Sequence, residues 1–178
     1  MSHTVFNLAK VVVLGALLSG CGLAQTVSDA TTSTAKAIFY KQVNTLHLDF
    51  TGRPALNTGI TDMTGLSVPT VVRVYQLRDN KIVDKAAYDA VLDNADNLLS
   101  ADLLDQHAVV VKSGEGAQLD VPLNKDAQFV TVVALFRTPD TQKNTWRLTL
   151  TRDDLDPDRA RVIELGNSQL TLQPLAKE

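Results

Sequence analysis

Side chains able to do chemistry are few and scattered in this sequence. Beyond the first residues the histidines are His47 and His107. His47 lies on the polar side of an alternating run, with no sequence-near carboxylate pair and no nucleophile elbow. Both histidines therefore read as surface polar positions rather than catalysts or metal ligands. No Gly-x-Ser-x-Gly, phosphate loop or His/Cys metal spacing occurs. Asp154-Leu155-Asp156-Pro157-Asp158 sets three carboxylates two residues apart, as calcium loops do. An EF-hand loop starting at Asp154 would need Gly where Arg159 stands and Glu where Leu165 stands. The segment reads instead as a solvated, proline-containing turn, neutralised by Arg152, Arg159 and Arg161. The pattern is that of a binding module, not an enzyme, and it implies no cofactor and no metal.

One nucleophile has a clear use. Lys10 gives a positive flank and Val11 to Leu18 form an apolar run. About eight to ten apolar residues suit a signal-peptide core and are too short for a bilayer core of roughly 30 Å. The run ends in Leu18-Ser19-Gly20-Cys21, which resembles the bacterial lipobox: an aliphatic residue, two small ones, then cysteine. Small side chains admit the peptidase, and a thiol can carry the thioether-linked diacylglycerol. Residues 1–20 are expected to be removed and Cys21 to be acylated. Acyl chains bury methylenes at roughly 0.8 kcal/mol each, so no spanning helix is needed. Cys21 is the only cysteine, which excludes a disulfide framework. Gly22 follows it, not the aspartate of inner-membrane retention, so the expected location is the periplasmic face of the outer membrane.

Residues 21–37 are small and polar around Gln25 to Thr34, with no apolar period, and read as a flexible tether. The remaining 38–178 suffices for one domain with a core. A formal net charge of −3 without a basic block argues against nucleic acid or anionic lipid as a main partner.

Strand signals dominate that domain. Thr45 to Phe50, Ala117 to Leu123 and Trp146 to Leu150 alternate apolar with polar. Phe129 to Phe136 is nearly continuous and reads as a central strand covered on both faces. Val71 to Leu77, Ala108 to Val111, Arg161 to Leu165 and Gln169 to Leu172 complete about eight strands. Turns at Ser113-Gly114, Asn124 to Asp126, Thr138 to Asp140 and Gly166-Asn167 separate them. The fold class expected is all-β, a two-sheet sandwich. Residues 84–106 lack β-branched runs and read as a small helical insertion against one end of the sheets. Asp84 would cap a helix carrying Ala87, Tyr88, Val91 and Leu92, and Ser100 a second turn holding Leu103 and Leu104.

Gly52 to Pro69 is long for a connection, and such loops tend to be functional or disordered. It keeps Leu56, Ile60, Met63, Leu66 and Val68, more apolar residues than disorder predicts. An ordered binding loop is expected. Arg73 and Tyr75 interrupt the valines of the next strand. Their stems are expected to cover the sheet while their tips reach water, with a partner-contacting face as the other reading. Trp146 reads as core, its indole N–H needing an acceptor.

Val68-Pro69-Thr70-Val71-Val72-Arg73-Val74-Tyr75-Gln76-Leu77, Phe129 to Arg137 and Trp146-Arg147 together resemble the type VI secretion outer-membrane lipoprotein family (TssJ, or SciN). Ser113-Gly114 stands where the family usually has a Pro-Gly turn. The resemblance implies a transthyretin-like sandwich with added helices. It also implies a role: tethering the periplasmic domain of the inner-membrane subunit TssM, with the other membrane-complex subunits reached indirectly. In the family the first inter-strand loop makes that contact, which here points to Arg53, Leu56, Asn57, Thr58, Ile60, Asp62, Met63 and Leu66. Leu56, Ile60 and Met63 would be the apolar anchors, set in a polar rim of Asn57, Thr58 and Asp62. The runner-up is a periplasmic lipoprotein whose sandwich binds a glycan or small ligand, which would want exposed aromatics.

Overall fold

The computed structural model describes residues 42–57 and 67–175. Eight strands form two four-stranded sheets. They are β1 (Thr45–Gly52), β2 (Thr70–Leu77), β3 (Leu103–Val111), β4 (Gly116–Pro122), β5 (Phe129–Ala134), β6 (Arg147–Thr151), β7 (Arg161–Gly166) and β8 (Gln169–Leu172). Two helices, α1 (Lys81–Lys85) and α2 (Tyr88–Leu99), fall between β2 and β3. The first sheet runs β4-β1-β7-β8 and the second β3-β2-β5-β6. All neighbours are antiparallel except β1 and β7, which are parallel.

Register explains the core. Leu46, Leu48 and Phe50 of β1 pair with Val121, Leu119 and Ala117 of β4, which puts one apolar face of the first sheet inward. Ile163 and Leu165 extend that face. In the second sheet Val72 and Val74 lie beside Ala134 and Val132, and Val130 and Val132 beside Leu150 and Leu148. Gln76 is the polar member of this face and is completely buried. Its amide donates to the Pro122 carbonyl at 2.9 Å and its oxygen accepts the Asn124 N–H at 2.7 Å, linking the sheets. Both polar ends are satisfied, so burial of this amide costs little.

The opposite face of the second sheet is covered by the helices. Arg73, on that face, donates to the carbonyls of Val91 and Leu92 at 3.3 and 3.2 Å. These carbonyls lie just before Asn94, whose φ of −147° breaks the helix. The guanidinium thus serves acceptors that the kink deprives of helical partners. Arg147 of β6 donates to Val83 and Ala86 carbonyls at 2.8 Å each and to the Asp84 carbonyl, closing the end of α1. Its guanidinium also lies 4.9 Å from the Trp146 ring centroid, a cation–π contact. Trp146 is fully buried, packs edge-on to Tyr88, and its indole N–H finds Asn144 Oδ1 at 3.2 Å.

Several local expectations are corrected. The helical layer covers a sheet face rather than an end. α1 begins at Lys81, so Asp84 lies inside it instead of capping it. The buried face of α2 is Tyr88, Val91, Ala95 and Leu99, while Ala87 and Leu92 are exposed. Leu103 and Leu104 belong to β3, not to a turn capped by Ser100. Pairing with β2 from Leu77 onward overrides the scarcity of β-branched residues there.

Candidate functional site

The β1–β2 connection leaves the sandwich at Gly52, and its first residues are each fixed to a different neighbour. Gly52 donates to the Glu115 carbonyl and accepts from the Gly114 N–H, both at 2.9 Å. A Cβ at Gly52 would lie 2.3 Å from the Lys112 carbonyl oxygen, so only glycine allows the β3–β4 turn this close. Gly114 takes a positive φ of 73° within that turn. The Arg53 N–H donates to Leu165 at 2.8 Å and its Nε lies 2.6 Å from Glu164 Oε1. The Ser113 hydroxyl donates to the Pro54 carbonyl at 2.7 Å, and Asn167 N–H to the Ala55 carbonyl at 2.8 Å. Asn167 and Ser168 both have positive φ, the primed turn that suits a tight hairpin.

Leu56 is fully buried in the core. Its N–H donates to Ser67 Oγ at 3.2 Å, which brings the two limbs of the connection together. Asn57 is 2% exposed and its Oδ1 accepts the Arg137 backbone N–H at 3.0 Å. Two expectations change here. Leu56 is a core side chain rather than a surface anchor, and Asn57 is an internal hydrogen-bond acceptor rather than part of a polar rim. Arg53 is exposed. Thr58, Ile60, Asp62, Met63 and Leu66 lie outside the described residues, as do Cys21 and the expected boundaries at 20 and 37.

The opposite pole holds the start of the domain. Arg152 donates to the carbonyls of Ala127, Asn124 and Lys125 and, through its second nitrogen, to Val43 at 2.8 Å. Arg161 donates to the Asp154 carbonyl at 2.6 Å. Thr151 and Asp154 form a capping box: the Asp154 carboxylate accepts the Thr151 N–H at 2.8 Å and its hydroxyl at 2.7 Å. These bonds hold the Asp154 carboxyl below the usual carboxylate range. Asp156 accepts from the backbone of Asp158 and Arg159 and pairs with the Arg159 guanidinium at 2.7 Å. Two of the three carboxylates that suggested a calcium loop, Asp154 and Asp156, are thus engaged in turn bonds.

Of the other residues singled out by type, His47 Nδ1 lies 2.5 Å from Asp120 Oδ1, its cross-strand neighbour on the solvent face of the first sheet. His107 Nε2 lies 3.0 Å from Asp105 Oδ2. Tyr75 is completely buried, so its tip does not reach water. Burial pushes its pKa up, against the opposing pull of the neighbouring Arg73 guanidinium. The face bearing Arg73 and Tyr75 is therefore helix-covered. A depression of about 480 Å³ remains between α2 and β3, lined by Arg73, Asp93, Asp96, Gln106 and His107 among others. Phe50, Tyr75, Tyr88, Phe136 and Trp146 are all buried, which leaves none of them to stack on a glycan.

Sequence reasoning did not find Glu164, Ser113, Asn167 or Arg137 as partners of the stem. Each lies in another strand or turn, and only the closed sandwich brings them together.

Two facing sheets, one helical layer and a loop rooted at one pole define a helix-backed β-sandwich. The family comparison agrees: residues 44–168 match the type VI secretion lipoprotein model that includes VasD, EvfM and TssJ. The chain belongs to that family. Among solved structures, it is similar to a chain in one described as the TssM C-terminal domain from EAEC. Identity is 41%, with 75% of this chain and 100% of that chain covered, at a TM-score of 0.67. A chain in a structure described as a type VI membrane complex is 44% identical over 75% of this chain and 100% of that one, with a TM-score of 0.69. The type VI lipoprotein TssJ1 from Pseudomonas aeruginosa is 25% identical over 75% and 98%, with a TM-score of 0.59. Comparison of the sequence with curated proteins finds no match.

Proposed function

We propose that this chain is a non-enzymatic tether. Acylated Cys21 holds it on the periplasmic face of the outer membrane, and its β1–β2 connection grips the periplasmic domain of a TssM-like inner-membrane subunit. The observation that carries this reading is polar separation. The chain enters the domain at Val43, beside Arg152, whereas the β1–β2 connection leaves at Gly52. The eight residues of β1 lie between, and eight extended residues span about 25 Å. A domain tethered through its amino-terminal pole can thus turn the loop pole away from the membrane, toward a partner rising from the other side. Likeness to chains in structures described by TssM and by a type VI membrane complex supports the choice of partner. Ile60, Met63 and Leu66 are the proposed apolar contacts, flanked by Thr58, Asp62 and Arg53, while Leu56 and Asn57 hold the stem. Burial of a few such apolar anchors supplies most of the binding energy in typical interfaces.

The test uses membrane fractionation. The periplasmic domain of the TssM-like subunit, produced alone in the periplasm, should fractionate with the outer membrane when the full chain is co-produced. Cys21→Ser should release both proteins together into the soluble fraction. A partner domain that stays soluble beside the acylated chain would refute the tethering role.

A further inference from the structure

The stem of the β1–β2 connection contains a buried amide that the core does not need. Asn57 follows the core residue Leu56 and is 2% exposed. An unbonded buried amide is costly, and an apolar residue of the same shape would complete the core without that liability. The Asn57 oxygen accepts the backbone N–H of Arg137, a residue 80 positions away in the β5–β6 connection. That connection is itself ordered. Asp140 Oδ1 accepts the N–H groups of Gln142 and Lys143 at 3.1 and 2.9 Å, and Thr138 Oγ1 lies 3.4 Å from Ser168 Oγ. Asn57 thus attaches the β1–β2 stem to a second, internally braced connection.

We infer that Asn57 is a positioning residue for partner recognition. Its side-chain oxygen couples the β1–β2 stem to the β5–β6 connection and so presets the geometry the partner meets. This rests on the tethering reading above. A stem fixed before binding spares the ordering cost that a free loop would meet at the interface. The Asn57 side chain is buried, so its effect on the partner is exerted through the stem.

The experiment uses the full acylated protein in detergent, with the isolated periplasmic domain of the TssM-like subunit as probe. Asn57→Leu keeps the shape and removes the acceptor; Asn57→Asp keeps the acceptor. Asn57→Leu should weaken binding at least tenfold, and Asn57→Asp should stay within about threefold of the parent. Amide exchange should rise at Arg137 and Leu56 in Asn57→Leu, while β2 and β5 keep their protection. Arg137→Pro, compared with Arg137→Ala, removes the same N–H from the other side. It should weaken binding similarly, and Asn57→Leu should add little on top of it. Should Asn57→Leu fail to fold, the Arg137 pair carries the test alone. Parent-like affinity in either bond-breaking variant overturns the positioning role, as does equal loss in Asn57→Leu and Asn57→Asp. Failure of the unsubstituted protein to bind the probe overturns the tethering reading first, and this role with it.

Discussion

The two poles of the sandwich are closed by different chemistry. At the amino-terminal pole, Arg152 and Arg161 reach backbone carbonyls of the β4–β5 and β6–β7 connections and of Val43. A guanidinium presents several donors in a rigid fork, so one side chain ties several acceptors at once. At the loop pole the ties are single and mostly neutral: a hydroxyl at Ser113, another at Ser67, an amide oxygen at Asn57. Multiple charge-assisted bonds hold one end as a fixed root. Neutral side-chain bonds and the Arg53–Glu164 ion pair brace the base of the other end. Substitutions at the first pole should therefore register as stability, and those beyond the base of the second as binding.

The largest effect tests where that boundary falls. Leu56 is the last core side chain before the loop, buried in one cluster with Phe50 and Leu165. Leu56→Ala should cost about 3 kcal/mol, the size usual for emptying a leucine site in a core. Thermal melting of the full protein in detergent checks it. An unchanged melting temperature would put Leu56 back on the surface as an anchor and move the boundary one residue toward the core.

Arg152→Met should follow at about 2 kcal/mol. It leaves the carbonyls of Ala127, Asn124 and Val43 without their charged donor while keeping much of the stem's packing. Affinity for the periplasmic TssM-like domain should not change, because the substitution lies at the far end of β1. Weakened binding with full stability would erase the distinction between the poles.

Much of this architecture was legible in the sequence, and the reasons are local. Strict alternation in Thr45 to Phe50 and Trp146 to Leu150 states which face is buried, since a strand has a period of two. The unbroken run from Phe129 reports a strand covered on both sides, as β5 is. Val71 to Leu77 looked partly polar on its second face only because Arg73 and Tyr75 meet helices that the alternation itself cannot reveal. The extent of α2 was blurred for a similar reason. Its helix-to-strand change near Leu103 depends on pairing with Leu77, a tertiary event. In the candidate site, loop length and apolar content pointed to the right connection but could not sort its residues. Whether Leu56 and Asn57 face in or out depends on Ser67, Arg137 and the β7–β8 turn closing over them.

The smallest effect concerns pH and again separates the poles. Asp154 belongs to the amino-terminal pole, where the Thr151 hydroxyl and N–H hold its carboxyl below the usual carboxylate range. A lowered folded-state pKa means that the ionised form is favoured in the native protein. Its contribution is therefore complete above the unfolded value, near pH 4 for an aspartate, and is lost as pH falls through the lower folded value. Asp154→Asn abolishes that dependence, since an amide does not titrate. The parent should melt slightly higher than Asp154→Asn at pH 6, by about 1–2 °C because the carboxylate is exposed. The gap should close as pH drops below about 4. The Asn57–Arg137 tie contains no ionisable acceptor, so protection of the Arg137 amide should stay constant over the same range once intrinsic exchange is corrected. A parent and variant that remain separated at pH 2 would remove Asp154 from the acid response. Loss of Arg137 protection in step with the Asp154 titration would mean that the two poles open as one unit.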